Sequence, residues 1–206
     1  MLNWLKRNKI LCFIVGGAIL VCAVLLCIFL ISKDGEEQNK DTPTLTVETP
    51  QKLSISETDT FVLDVTVSSF GDAIYPAASM SIAFDASRLE FLGVEEGNVF
   101  IKSDNTSGQT LPEWSYNTAA CNESGRINVM YLDMTGGKNA FSKDLLHEDN
   151  NVVLRLKFRL RGSARAGDVC DLIVEDAVFA ASDETQSLAM TTNTLTVKNG
   201  KLVIGE

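Results

Sequence analysis

The chain has one histidine in 206 residues, His147. That excludes any metal site built from several imidazoles and leaves a single candidate for an imidazole-based catalytic pair. Positive charge is also scarce: 18 Lys and Arg stand against 27 Asp and Glu, for a net charge of −9. A phosphate backbone is held by a basic surface, so nucleic acid is not an expected partner. Aromatic residues make up 7% of the chain, with two tryptophans and three tyrosines. Any stacking platform for sugar rings would therefore be small. Apolar residues are not short, at 45% of the chain, which is ordinary for a folded protein and too high for a mainly disordered one. The length fits one globular domain with appendages.

The charge is unevenly spread. Residues 1–32 carry only Lys6, Arg7 and Lys9, whereas the other 174 residues carry 15 basic and 27 acidic side chains. Between them, Ile10 to Ile31 runs for 22 residues without a charge. As a helix this run would be about 33 Å long, enough to cross the hydrocarbon core of a bilayer. Basic residues precede it, and Lys33, Asp34, Glu36 and Glu37 follow. The positive-inside rule then places residues 1–9 in the cytoplasm and the remainder outside. The run exceeds the apolar stretch of a cleaved signal, and Phe29-Leu30-Ile31-Ser32 lacks a small-x-small cleavage pattern. Val21 before Cys22 and Leu26 before Cys27 do not make a lipoprotein box. The expectation is an uncleaved signal anchor over 10–31, making a single-pass membrane protein with its domain at the cell surface. A cleaved signal would export the remainder equally. Residues 32–51 are polar and punctuated by proline, as in an extracellular linker.

Cys12, Cys22 and Cys27 fall in the apolar run and read as small apolar filler. Cys121 and Cys170 are left for the exported part, where one disulfide would form if their Cα atoms come within reach.

From residue 52 onward the apolar residues recur with period two. Phe61, Leu63, Val65 and Val67 alternate with Val62, Asp64, Thr66 and Ser68; Met80, Ile82 and Phe84 alternate with Ser79, Ser81 and Ala83. Val152 to Leu160 alternates apolar residues with Arg155, Lys157, Arg159 and Arg161. Each pattern predicts a strand with one apolar face. Shorter strands are predicted near 89–94, 113–117, 127–132, 170–174, 194–197 and 202–204, with Asp, Asn, Ser and Gly clusters between them. Eight or nine such strands need a second sheet to cover their apolar faces, which makes an all-β sandwich. The basic stripe of Arg155, Lys157, Arg159 and Arg161 reads as a solvated sheet face pairing with neighbouring acids. The segment Ile127 to Met134 is apolar on both faces. It is either a central strand covered on both sides or a strand whose outer face meets a partner.

At this point the chain resembles a cohesin domain over about residues 52–206. Ser81-Ile82-Ala83-Phe84-Asp85-Ala86-Ser87-Arg88-Leu89-Glu90-Phe91 is similar to the family's extended strand, aromatic-Asp turn and return strand, closed by Val94-Glu95-Glu96-Gly97. Ile127 to Leu132 with Asp133-Met134-Thr135-Gly136-Gly137 resembles its middle strand and glycine loop. Val153 to Arg161 followed by Gly162-Ser163-Ala164-Arg165-Ala166-Gly167, then Phe179-Ala180, and the closing Asn199-Gly200-Lys201-Leu202-Val203-Ile204 are similar to its later strands and turns.

The resemblance implies a jelly-roll β-sandwich of about nine strands that binds a dockerin, a small calcium-binding helical module borne by polysaccharide-degrading enzymes or scaffolds. The calcium belongs to the dockerin, so no cofactor is expected here. Carried over, the contact positions are Ala77 and Ser79 on one strand, Val129, Tyr131 and Met134 on and after the middle strand, and Glu184 and Gln186 near a late strand. An apolar patch centred on Val129 and Tyr131 would dominate. The best-known cohesin type has Asn and Asp at the positions of Ala77 and Ser79. Ala77 offers no hydrogen bond there and Ser79 a weak one, which implies a partner of another class.

No catalytic motif accompanies this pattern. His147 lies in the polar stretch Asp144-Leu145-Leu146-His147-Glu148-Asp149 without metalloprotease spacing, and there is no nucleophile elbow. Solvation is the expected role of the carboxylates there, although several oxygens are what calcium asks for. The expectation is a binding module, not an enzyme, and no metal site. The alternative is direct polysaccharide binding through Trp114 and Tyr116, two residues apart on one predicted strand; Trp114 reads equally well as core.

Overall fold

The structure, a computed structural model, describes residues 42–54, 60–100, 113–147, 149–182 and 189–205. The expected membrane anchor over 10–31 lies outside the described residues, and among those described no helix is long and apolar enough to cross a membrane. Eleven strands are described: β1 (Thr44–Val47), β2 (Phe61–Val67), β3 (Ala77–Ala83), β4 (Leu89–Glu96), β5 (Ser115–Tyr116), β6 (Arg126–Leu132), β7 (Val152–Leu160), β8 (Val169–Ala180), β9 (Met190–Thr191), β10 (Thr196–Lys198) and β11 (Gly200–Val203). A helix, α1 (Thr118–Ser124), sits between β5 and β6.

Two sheets face each other. One has the order β10-β1-β2-β7-β4, and the other β11-β8-β3-β6-β5 with β9 added to β8. Period-two patterning explains the layering. Leu63, Val65, Leu154, Leu156 and Phe158 of the first sheet and Met80, Ile82, Ile127, Val129, Leu172 and Phe179 of the second are all buried between the layers. At one end of the sandwich Phe141 is ringed by Phe70, Phe100, Tyr131 and Phe179, with centroids 5.6, 4.9, 4.9 and 5.4 Å away. These rings, largely in tilted or edge contact, form an aromatic plug in the core.

The expected linker over 32–51 is corrected at its end. Thr44–Val47 is a strand inside the first sheet, antiparallel to β2 and parallel to β10, and Leu45 and Val47 are buried. Two apolar positions are too few to register as a period, so composition alone reads this stretch as tether. The helix was likewise not expected. It is seven residues long and buries only Cys121, too little for a 3.6-residue pattern to show. Its ends follow local chemistry: the Asn117 side chain accepts from the Ala120 N–H, and Gly125 closes it at φ 65°. Asn122 ties it to β4, accepting from the Phe91 N–H at 2.9 Å and donating to the Phe91 carbonyl at 2.7 Å. The strands also number eleven rather than about nine.

The basic stripe of β7 pairs with acids on both neighbouring strands. Arg155 meets Asp64 at 3.0 Å, Lys157 meets Glu95 at 2.7 Å and Arg159 meets Glu90 at 2.7 Å. The outer face of the first sheet is thus a ladder of matched charges. Cys121 and Cys170 are both buried free thiols. Burial pushes the Cys170 thiol up to about 11, which keeps it protonated and unreactive at neutral pH.

A second charged cluster closes the turns below β4 and β8. Arg88 bridges Asp85 and Asp168, the latter at 2.8 Å. The Ser87 hydroxyl, with Arg88, holds the Asp85 carboxyl below its usual value, and the Arg165 N–H does the same for Asp168. Both carboxyls titrate lower in the folded than in the unfolded state. Their contribution is complete above the unfolded value near 4 and is lost as pH falls through the folded values. The urea midpoint should therefore drop steeply below about pH 4, and Asp85→Asn should flatten that drop. An unchanged slope in Asp85→Asn would assign the acid sensitivity elsewhere.

Candidate functional site

The two outer flanks of the sandwich differ in chemistry. On the second sheet, β3 lies between β6 and β8, and the pairing register sets its outward residues in rows. Leu132, Ala77 and Ala180 make one row; Met130, Ser79 and Val178 the next; Asn128, Ser81 and Asp176 the third. The first two rows hold one hydroxyl and no charge. Met130 is 58% exposed and Leu132 55%, and just beyond β6 Met134 is 83% exposed. Ile74, before β3, is 49% exposed. So many large apolar side chains on one solvent-facing sheet is the mark of a contact surface.

The loop after β6 is built to project Met134. The Asp133 carboxylate accepts from the Thr135 N–H at 2.7 Å and the Gly137 N–H at 2.6 Å, and Gly136 and Gly137 take positive φ. Burial opposes its ionisation, but hydrogen bonds from Thr135, Gly137 and Asn139 outweigh it and hold Asp133 below the usual carboxylate range. The turn is therefore locked at neutral pH.

The third row is polar, and a bulge shapes it. The β3–β8 register shifts between Ser81 and Ile82, so Glu175 has no partner position on β3 and both Glu175 and Asp176 are exposed. Arg126 pairs with Glu175 at 2.5 Å. Between β8 and β5 lies a shallow depression of about 520 Å³, lined by Ser79, Ser81, Tyr116, Asn128, Met130 and Asp176 among others.

Ala77 and Ser79 lie on this outer face, half-buried, and Met134 stands at its rim. Glu184 and Gln186 lie outside the described residues. Val129 and Tyr131 are corrected. They are 3% and 1% exposed, and their neighbours on β3 are Met80 and Ala78, both buried. Tyr131 points into the aromatic plug, and its hydroxyl donates to the Asn139 carbonyl. The outward apolar residues of β6 are instead Met130 and Leu132. The sequence contained the signal: Arg126 and Asn128, the polar residues of the strand, share parity with Met130 and Leu132. With both faces apolar, those two residues alone decide which side meets water.

Trp114 and Tyr116 do not form an exposed row, which corrects that expectation. Trp114 is buried against Tyr131 and Phe141, at 5.5 and 6.2 Å. Tyr116 leans edge-on to Phe91 across the open side of the sandwich, at 5.8 Å, leaving one ring where a sugar platform needs several. Its hydroxyl approaches Gly93, where a Cβ would come within 2.8 Å and where φ is 150°. His147 is exposed in a short bridge with Asn150. Among the described residues no group of three or more His, Cys, Asp or Glu is placed to hold a metal ion.

The family model of the cohesin domain matches residues 43–199, beginning one residue before β1. The chain belongs to the cohesin family. A cohesin domain is a non-catalytic binding module, so the chain is not an enzyme. Solved structures agree on the fold. The cohesin of a type I OlpA cohesin–dockerin complex from Clostridium thermocellum is 18% identical, with a TM-score of 0.58 over 80% of this chain and 99% of that one. The sixth cohesin of scaffoldin B from Acetivibrio cellulolyticus, solved with a Cel5 dockerin, is 18% identical, with a TM-score of 0.54 over 79% and 98%. A non-cellulosomal cohesin from the archaeon Archaeoglobus fulgidus is 13% identical, with a TM-score of 0.52 over 80% and 92%. No curated protein matches the chain. The family match thus includes β1, which lies in the stretch expected to be a linker.

Proposed function

We propose that this cohesin is a cell-surface module that captures dockerin-bearing proteins, enzymes or scaffolds of polysaccharide breakdown, on the outer face of β8-β3-β6-β5. The carrying observation is the apolar half of that face: Met130 and Leu132 exposed, Ala77, Val178 and Ala180 half-buried beside them, and exposed Met134 at the rim. An apolar centre beside polar residues is the anatomy of a protein interface. Ala77 and Ser79 offer little hydrogen bonding, so the partner is selected chiefly by shape and apolar contact. Surface display is supported by the uncharged run 10–31, the basic residues before it and the acidic domain after it.

Intact cells producing the full chain, exposed to fluorescently labelled dockerins encoded in the same genome, test both parts at once. Capture of at least one dockerin is expected, and both Met130→Asp and Leu132→Asp should reduce it by about a hundredfold. Insoluble cellulose serves as the competing surface. Retention on cellulose with no dockerin captured would overturn the proposal, as would dockerin capture indifferent to both substitutions.

A further inference from the structure

The polar third row contains a carboxylate that no side chain among the described residues pairs with. The bulge in β8 brings two consecutive carboxylates to the outer face, and only one is used at home: Glu175 holds Arg126 at 2.5 Å. Asp176 pairs with Ser81 through the strand ladder, but its exposed carboxylate makes no side-chain hydrogen bond or ion pair with another described residue. It stands at the wall of the depression, whose other polar groups are the hydroxyls of Ser79, Ser81 and Ser115 and the side chain of Asn128. The hydroxyls and the amide both donate and accept hydrogen bonds, Asp176 is the one charged group, and no lysine or arginine lines the depression. Met130 and Tyr116 add apolar surface along it.

Different occupants fare differently here. An acidic side chain would be repelled by Asp176. An apolar one would strip water from the carboxylate and leave it unpaired, which is costly. A long cationic side chain meets both demands: its methylene stem lies along Met130 and Tyr116, and its head reaches Asp176 and the hydroxyls. Building on the docking face proposed above, we infer that this depression receives a lysine or arginine of the partner, with Asp176 as its anchor. The face is then read in two parts, apolar contact at the Leu132 row and a cation at the Asp176 row. The two ends are chemically distinct, so they fix the direction in which the partner lies across the strands.

Asp176→Asn keeps the shape and removes the charge. Because the side chain is exposed and unpaired, the thermal midpoint should not move. With the dockerin captured by wild-type cells, titrated at 50 and 300 mM NaCl, Asp176→Asn should weaken binding at least about tenfold at low salt and flatten the salt dependence. Asp176→Lys should weaken it about a hundredfold, and one Lys→Glu or Arg→Glu change in the dockerin should restore binding to that variant alone. Wild-type affinity and salt dependence in Asp176→Asn, beside loss of capture in Met130→Asp, would leave the docking face standing and overturn the cation pocket. If no dockerin binds the wild-type chain, the docking proposal fails and the pocket with it.

Discussion

Tyr131→Asp should unfold the cohesin domain, while Met130→Asp, one residue away, should leave it folded. Tyr131 is almost wholly buried, stacks near Phe100 and Trp114, meets Phe141 edge-on at 4.9 Å and donates its hydroxyl to the Asn139 carbonyl. Aspartate would remove those ring contacts and place a carboxylate where no cation is available. Either loss costs about 3–5 kcal/mol. Together they take most of the roughly 5–15 kcal/mol that holds a domain of this size. The side chain of Met130 projects into water, so its replacement should shift stability by less than about 1 kcal/mol. Urea unfolding followed by circular dichroism separates the two. A folded Tyr131→Asp domain, or an unfolded Met130→Asp domain, would show that the faces of β6 are reversed. The pair also guards the binding test, because loss of capture in Met130→Asp counts only if that variant is folded.

Phe141→Ala should be the most damaging simple truncation in the plug. Phe141 is fully buried and contacts rings from five separate segments: Phe70, Phe100, Trp114, Tyr131 and Phe179. It is also held by its backbone, since Tyr75 and Phe141 exchange N–H and carbonyl bonds at 2.8 and 2.9 Å. Tyr131 and Phe179 are fixed on β6 and β8, which limits collapse into the space left behind. The cost should fall at the upper part of the usual range for such a change, about 4–5 kcal/mol in a urea titration. A cost under about 2 kcal/mol would mean that the end of the sandwich repacks freely.

Much of this architecture was legible because strands with one wet face write their period into the sequence. Strand β3 alternates strictly between buried and half-buried positions, and β2 and β7 alternate likewise except at Val65–Val67 and Val152–Leu154, where consecutive residues are buried. The candidate site was harder. Strand β6 has apolar residues on both faces, so the period-two signal that distinguishes inside from outside is weak. On β6 only Arg126 and Asn128 preserve it. The bulge at Glu175 was invisible for a different reason: it depends on the pairing of β8 with β3, a long-range match that a local pattern does not encode. Strand β1 and helix α1 were missed because four and seven residues are too few to show a period.

The matched ladder of Arg155, Lys157 and Arg159 with Asp64, Glu95 and Glu90 has a consequence for assembly size. It spends its charges internally, and the large apolar side chain that this flank exposes among the described residues is Val62. If adhesion is confined to the opposite side, as proposed, each copy of this module is univalent. Such a copy would end a chain of interlocking proteins or hang one cargo from a support, and would not by itself branch or propagate a network.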